Sequence, residues 1–332
     1  MKLLIITQKV DKNDSVLGFF HRWILEFSKK VELVNVICLE KGEYDLPNNV
    51  HVHSLGKEKA KNKLLYVFNF YKYIWSLRKE YDVVFVHMNQ IYVILGYLVW
   101  KIFGKKISLW YAHGQISTSL RFATFLSDIL ISSSKKGFRL ETHKLKIVGQ
   151  GIDVDLFKNI SSEKENIILT TGRISNTKNI DTMVDVLNEL GDYKLVVIGE
   201  PITIQDSVYM DTLKKKISSL NLTERIIFKG SVAQEDLPGQ YKNAKVFLNL
   251  SDTGSLDKAV LEAMSLGLIV FSSNIAFKDI LNEQFLESKN PTYIAEKIKG
   301  VHNESIGLSN REFVIKNHSL DKLIKNILSE LK

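Results

Sequence analysis

Two successive series of short, uninterrupted apolar runs, with longer amphipathic segments between them, restrict the fold of this chain more than any other feature. Runs of aliphatic and β-branched residues occur at 3–7, 33–39, 50–54, 83–87, 106–112, 129–132 and 146–148. A second series starts afresh at 166–171, 194–198, 226–229, 246–250 and 269–272. A strand with one wet face alternates apolar and polar residues; continuous apolar strands belong to parallel sheets covered by helices on both faces. Helices are expected at 17–29, 62–79, 91–103 and 117–126, then at 180–189, 210–220, 234–242, 257–266 and 320–331. The pattern therefore predicts an α/β chain of two doubly wound domains. Their joint is expected within 154–165, a polar stretch without periodicity. In such folds ligands bind beyond the carboxyl ends of the strands, so the loops leaving those ends are where chemistry is sought.

Size and charge agree with this division. The chain has 332 residues, 45% of them hydrophobic, which is enough for two cores. Its one cysteine, Cys38, excludes an internal disulfide framework and a thiolate zinc site. The apolar run at the N-terminus reads as a strand rather than a signal peptide, and the longest apolar run, 91–100, is far shorter than the ~20 residues that span a bilayer. A cytoplasmic chain is expected, at most peripheral on the inner face of the plasma membrane. Residues 1–150 hold 23 Lys and Arg against 12 Asp and Glu, whereas the remainder holds 22 against 25. A basic first half suits an anionic membrane surface or phosphorylated lipid; a solvated basic surface is the competing explanation. Aromatics beside cations in 17–30, and Lys57, Lys59, Lys61 and Lys63, fit the former; a core helix and a solvated face fit the latter. No nucleic-acid-binding module is present, and no nucleic acid is expected as partner.

Two segments carry the chemistry. Gly172 follows an apolar strand and permits a tight turn, after which Arg173 and Lys178 precede the helix starting near Ile180. A forked donor, a point charge and free amides at a helix start form a site for a diphosphate; an ordinary loop with two solvated cations is the alternative. The second segment, 250–267, leaves another apolar strand through Ser251, Thr253, Gly254 and Ser255, small polar residues suited to phosphate or sugar hydroxyls, and enters a helix with Asp257 and Lys258. Glu262 lies among Val260, Leu261, Ala263 and Met264, where a carboxylate requires a partner such as a ribose diol or a structural cation.

Gly172-Arg173 with Lys178, and Leu261-Glu-Ala-Met264 followed by Gly267, resemble the donor-site motifs of the GT4 family of retaining glycosyltransferases. The segments 81–87, 110–114, 128–134 and 149–157 resemble the strand ends and linker entry of that family, weakly in 1–80 and strongly from 166 to 273. The resemblance implies a GT-B fold: two Rossmann-like domains with a cleft between them, an acceptor domain at 1–155, a donor domain at 160–310, and a C-terminal helix at 311–332 packing back toward the first. It implies that Arg173 and Lys178 bind the diphosphate of a UDP- or GDP-linked sugar, and that Glu262 takes the ribose. Gly18 would lie near the phosphates and His113 beside the transferred sugar. Gly172, Ser251, Thr253, Gly254, Ser255, Asp257 and Lys258 complete the expected donor set. A glycan or lipid-linked acceptor follows, as do surface polysaccharide synthesis and metal-independent chemistry.

One departure bears on activity. The family carries Glu eight residues before the position of Glu262, followed by Gly-Phe-Gly; here Gly254 is followed by Ser255-Leu-Asp257. Asp257 either replaces the missing carboxylate or favours the helix start electrostatically, worth ~0.3–1 kcal/mol. A nucleotide-sugar epimerase, or an inactive nucleotide-sugar-binding partner subunit, are the readings that compete with transfer. Asp153-Val-Asp155 matches a metal-holding pattern of a different glycosyltransferase fold but has no second acidic cluster, and His51 and His53 lack companion ligands. No metal or cofactor is expected.

Overall fold

A computed structural model describes residues 1–158, 164–301 and 305–332. Part of the expected joint, 159–163, lies outside the described residues. The chain forms two compact units, 1–151 with 320–332, and 152–319.

The first unit runs β1 (Lys2–Val10), α1 (Gly18–Ser28), β2 (Leu33–Lys41), β3 (Val50–Ser54), α2 (Lys63–Ser76), β4 (Val83–His87), α3 (Ile91–Ile102), β5 (Lys106–Trp110), α4 (Thr118–Leu126), β6 (Ile129–Ser132) and β7 (Leu145–Ile147). The second runs β8 (Glu165–Thr171), α5 (Ile180–Asn188), β9 (Lys194–Ile198), α6 (Ile204–Ser219), β10 (Ile226–Gly230), α7 (Leu237–Tyr241), β11 (Ala244–Asn249), α8 (Lys258–Ser265), β12 (Ile269–Ser272), α9 (Lys278–Leu281), α10 (Pro291–Lys299) and α11 (Ser305–His318). The chain ends in α12 (Leu320–Leu331).

Every strand pairing among these elements is parallel. The strand order is β3-β2-β1-β4-β5-β6-β7 in the first sheet and β10-β9-β8-β11-β12 in the second. Each sheet is doubly wound, as the apolar runs predict: the order reverses between β1 and β4, and again between β8 and β11. Those reversals are switch points, where neighbouring strands send their loops apart and leave a crevice at their carboxyl ends. The two motif segments at 172–179 and 250–257 leave β8 and β11, the two strands of the second switch point.

The aromatics of α1 belong to the core. Phe20, Trp23 and Phe27 are fully buried; Phe20 stacks on His87 at 3.9 Å between centroids, and Trp23 meets Trp110 edge-on at 5.0 Å. The alternative in which these rings offer a membrane face is thereby set aside for this helix. The 311–332 segment is two helices rather than one. α11 stays with the second unit, where the Arg311 guanidinium donates to the carbonyls of Phe157 (3.0 Å) and Ser265. α12 joins the first unit by an apolar face of Leu320, Leu323, Ile324, Ile327, Leu328 and Leu331, packed in one cluster with Trp23, Phe27 and Trp110.

Helix α6 begins six residues before the expected 210. Thr203 and Asp206 form a capping box: the Thr203 hydroxyl accepts from the Asp206 amide and the Asp206 carboxylate from the Thr203 amide. Leu323 is 1% exposed, and its side chain fills the space over Gly151 that a Cβ would enter. Leu323→Ala is expected to cost about 3 kcal/mol, read as a lower urea midpoint at unchanged slope.

Candidate functional site

The second switch point is built by two loops bound to each other before any ligand is considered. The Thr177 carbonyl accepts from the Asp252 amide at 2.9 Å. Asn179, in a left-handed conformation (φ 50°), donates its amide to the Leu250 carbonyl and to Asp252 Oδ2, both at 2.8 Å. Lys289 pairs with Asp252 from the far side. Burial alone would raise the Asp252 carboxyl; the bonds from Lys289 and Asn179 outweigh it and hold the group below its ordinary value.

Between these loops lies a polar cluster. Lys178 Nζ is 2.9 Å from Asp257 Oδ2 and 3.3 Å from Ser251 Oγ. Asp257 also accepts from Asn249 Nδ2 (3.1 Å) and Thr253 Oγ1 (3.3 Å), while Thr253 Oγ1 lies 3.0 Å from Ser251 Oγ and accepts from Ser255 Oγ at 3.3 Å. Asp257 occupies the N-cap position of α8, yet its side chain makes no capping bond. Its carboxylate is spent on Lys178, Asn249 and Thr253 instead. Lys178 and Asp257 keep only 20% and 12% of their side-chain surface exposed, so removing either leaves its partner's charge shielded from water and unpaired.

Arg173 goes elsewhere. Its Nε lies 3.7 Å from Asp206 Oδ2 at the start of α6, and its side chain is 44% exposed. Burial raises the Asp206 carboxyl, but bonds from the Thr203 amide and hydroxyl and the Ile202 amide, with the Arg173 charge, prevail and lower it. The two cations expected to converge thus have separate carboxylate partners.

Glu262, on α8, is 4% exposed. Gln234 Nε2 donates to its Oε1 at 2.9 Å, and Lys258 Nζ lies 3.7 Å from the same oxygen. Burial pulls the Lys258 ammonium below its ordinary value, while Glu262 acts to restore it. Beneath, the Tyr241 hydroxyl donates to Thr171 Oγ1 at 3.0 Å; burial, then the Glu262 charge, pushes that phenol well above its ordinary value.

Gly172 and Gly254 both have positive φ (144° and 66°). At the position where the resemblance implies Glu, the backbone of Gly254 is left-handed, a region an L side chain enters only at a cost. The loop is supported from β12: Asn274 Nδ2 donates to the Ser255 carbonyl at 2.9 Å and Ser272 Oγ to Asn249 Oδ1 at 2.9 Å.

Gly18 and His113 lie in the first unit. The Gly18 amide donates to the Asp14 carbonyl (2.9 Å), and the amides of Val16 and Leu17 to the Asp14 carboxylate (2.9 and 2.7 Å), so its own loop supplies acceptors at the start of α1. His113 is exposed in the loop after β5, where its Nδ1 accepts from the Gln115 amide at 3.2 Å. Asp153 of the Asp-x-Asp pattern accepts from the amides of Asp155 and Leu156, a turn-forming role.

Sequence reasoning passed over Asn179, Asp206, Gln234, Asn249 and Asp252. Asn249 had a readable signal, being a polar residue inside an otherwise apolar strand. Asp206 was legible only as the partner of Thr203 in a cap; the others depend on which distant segments meet.

The sequence model described as glycosyl transferases group 1 matches residues 152–321. Among curated proteins, mannosylfructose-phosphate synthase of Agrobacterium fabrum is 31% identical over 107 residues, 30% of this chain and 24% of that protein. Alpha-monoglucosyldiacylglycerol synthase of Streptococcus pneumoniae is 27% identical over 146 residues, 38% of this chain and 32% of that protein. The chain spans about a quarter to a third of the length of these relatives. Among solved structures, Anabaena Alr3699/HepE in complex with UDP and glucose aligns with a TM-score of 0.79 at 16% identity, covering 100% of this chain and 99% of that one. A glycosyltransferase from Rickettsia africae aligns at 0.75 and 18%, covering 100% and 98%. The fold is that of these GT-B proteins.

A Cβ on Gly199 (φ 131°) would lie 2.1 Å from the Gly172 carbonyl oxygen, because the loops after β8 and β9 touch there through backbone. Gly199→Ala is expected to destabilise the second unit by about 3 kcal/mol, measured as a lower melting temperature.

Proposed function

The chain belongs to the glycosyl transferases group 1 family, and from that premise we propose that it moves a hexose from a UDP- or GDP-linked donor to a glycan or lipid-linked acceptor, with retention at the anomeric carbon. The observation that carries this reading is the Lys178–Asp257 pair, held with Ser251 and Thr253 between two loops at a switch point, with Glu262 buried on the helix that follows.

In this reading Lys178 binds the donor diphosphate, and the half-exposed Arg173 leaves Asp206 to join it when the donor binds. Lys178 carries three N–H donors; Asp257 and Ser251 take two, and a phosphate oxygen takes the third. As the glycosidic bond to the diphosphate breaks, negative charge grows on the leaving oxygen. A cation already in position stabilises that charge more than it stabilises the ground state. The hydroxyls and amides of Ser251–Ser255 add donors at the same place, beside Gly172 and Gly254. Glu262, positioned by Gln234 and Lys258, takes the ribose hydroxyls. Asp257 stands in for the carboxylate absent at Gly254: it belongs to the same loop, is fixed by three donors, and accepts from a sugar hydroxyl. Gly18 and His113 are assigned to the donor phosphates and the transferred sugar on the resemblance alone. With cations serving the diphosphate, the chemistry needs no divalent metal. Surface polysaccharide synthesis at the inner face of the plasma membrane is the setting this reading implies.

Arg173→Ala and Lys178→Ala are each expected to lower kcat/KM about 10²–10³-fold, with Lys178→Ala the more severe because it also strands Asp257. Saturating EDTA should leave the rate unchanged, and the product should keep the donor's anomeric configuration by NMR. Wild-type kinetics in both variants would overturn the assignment; donor turnover without transfer would point to an epimerase.

A further inference from the structure

The layer of α2, α3 and α4 covers one face of the first sheet, burying Phe70, Ile74, Val93, Trp100, Leu120 and Ala123 in a common core. Its outward surface also carries large apolar side chains. On α2, Leu64, Phe68, Tyr71 and Trp75 recur at helical spacing and are 81%, 66%, 39% and 53% exposed. Neighbouring α3 shows Ile91, Leu98 and Ile102, and α4 beside it shows Phe122 and Phe125, 59% and 77% exposed. Water-facing stripes of amphipathic helices are normally polar. Single exposed apolar residues need no explanation, but three adjacent helices each carrying a large apolar stripe do.

The charge on this layer is mainly cationic, with acidic residues at its margins, where Asp128 pairs with Lys101 at 2.6 Å. Residues 59–79 contain six Lys and Arg and no Asp or Glu, and residues 83–127 contain four and none. Cations lie against the exposed rings: Arg78 is 5.2 Å from the Trp75 ring centroid and Lys144 6.0 Å from that of Phe125. A groove of about 470 Å³ opens between α2 and α3, lined by Tyr66, Tyr92 and Leu95 together with Lys57, Lys61 and Lys63.

We propose that this face of α2, α3 and α4 docks on an anionic lipid bilayer. Leu and Phe side chains enter the acyl boundary, Trp and Tyr sit at the interface, and the lysines meet lipid phosphates while their stems stay in apolar surroundings. Charge argues against a second copy of the chain as occupant, since pairing the face with itself sets one net-cationic surface against another. The inference extends the transfer reading, because a lipid-linked acceptor is presented at such a surface, but docking itself requires no catalysis.

The test is co-sedimentation of the full chain with vesicles of phosphatidylglycerol mixed into phosphatidylcholine, and with phosphatidylcholine alone. The protein is expected to sediment with the anionic vesicles, weakly with the neutral ones, and less in ~1 M salt, where the Debye length falls to about 3 Å. The double variant Phe68→Glu/Leu98→Glu replaces two exposed side chains outside the core and should weaken binding at least about tenfold while keeping the wild-type melting temperature. Wild-type protein that stays with the supernatant, or a variant that sediments equally well, overturns the proposal. A dimer that the same variant dissolves, without vesicle binding, overturns it in favour of self-association. If vesicle binding follows the expected pattern while no nucleoside diphosphate binds, the docking face stands and the transfer reading fails.

Discussion

Parallel strands cannot be joined by tight turns, and most of what this chain does follows from that constraint. Each strand needs a crossover to bring the chain back, in most cases a helix, so the strands leave from one end of their sheet and their loops gather there. In the second unit the order reverses between β8 and β11, and the loops of those two strands are the ones that carry Lys178 and Asp257. Their backbones are tied by the Asp252 amide and the Asn179 side chain, so the cation and carboxylate meet at 2.9 Å on a framework that already holds them. A pair this shielded gains little net stability from its own attraction. In the proposed reading its value lies in placing a positive charge beside the donor diphosphate.

The same framework fixes the Asp257 carboxylate beside Gly254. Gly254 adopts a left-handed conformation that suits glycine, and Asp257 follows it at the start of the next helix. Asn249 on β11, itself bonded to Ser272 on β12, supports that carboxylate through a hydrogen bond, so its position is inherited from the sheet rather than from a long side chain.

Much of this was readable from the residues. The continuous apolar runs foretold twelve parallel strands, and the spacing of Leu320, Leu323, Ile324, Ile327 and Leu331 foretold α12. The early start of α6 was missed because Ile202 and Ile204 are exposed and blur its periodicity, although the Thr203–Asp206 cap was in plain view. Helices α9 and α10 went unread, and α11 was merged with α12 into one helix at 311–332; α11 buries only Gly307, Asn310, Val314 and His318 among mostly polar neighbours, too thin a stripe to register. Lys178 and Glu262 were found by motif, but the partners that define them lie 79 and 28 residues away in sequence. No local pattern encodes such a meeting. The aromatics of α1 and α2 show the same limit: both helices mix rings with cations, and only packing reveals that those of α1 line the core while Phe68 and Trp75 of α2 face water.

The central claim is that the loops after β8 and β11 bind a nucleoside diphosphate through Lys178. The most direct measurement is a thermal-shift titration of wild-type and Lys178→Ala protein with UDP, GDP and ADP. The account predicts a concentration-dependent rise in melting temperature with one of them, and its loss in Lys178→Ala. No rise with any of the three in folded wild-type protein, or an equal rise in the variant, would contradict it.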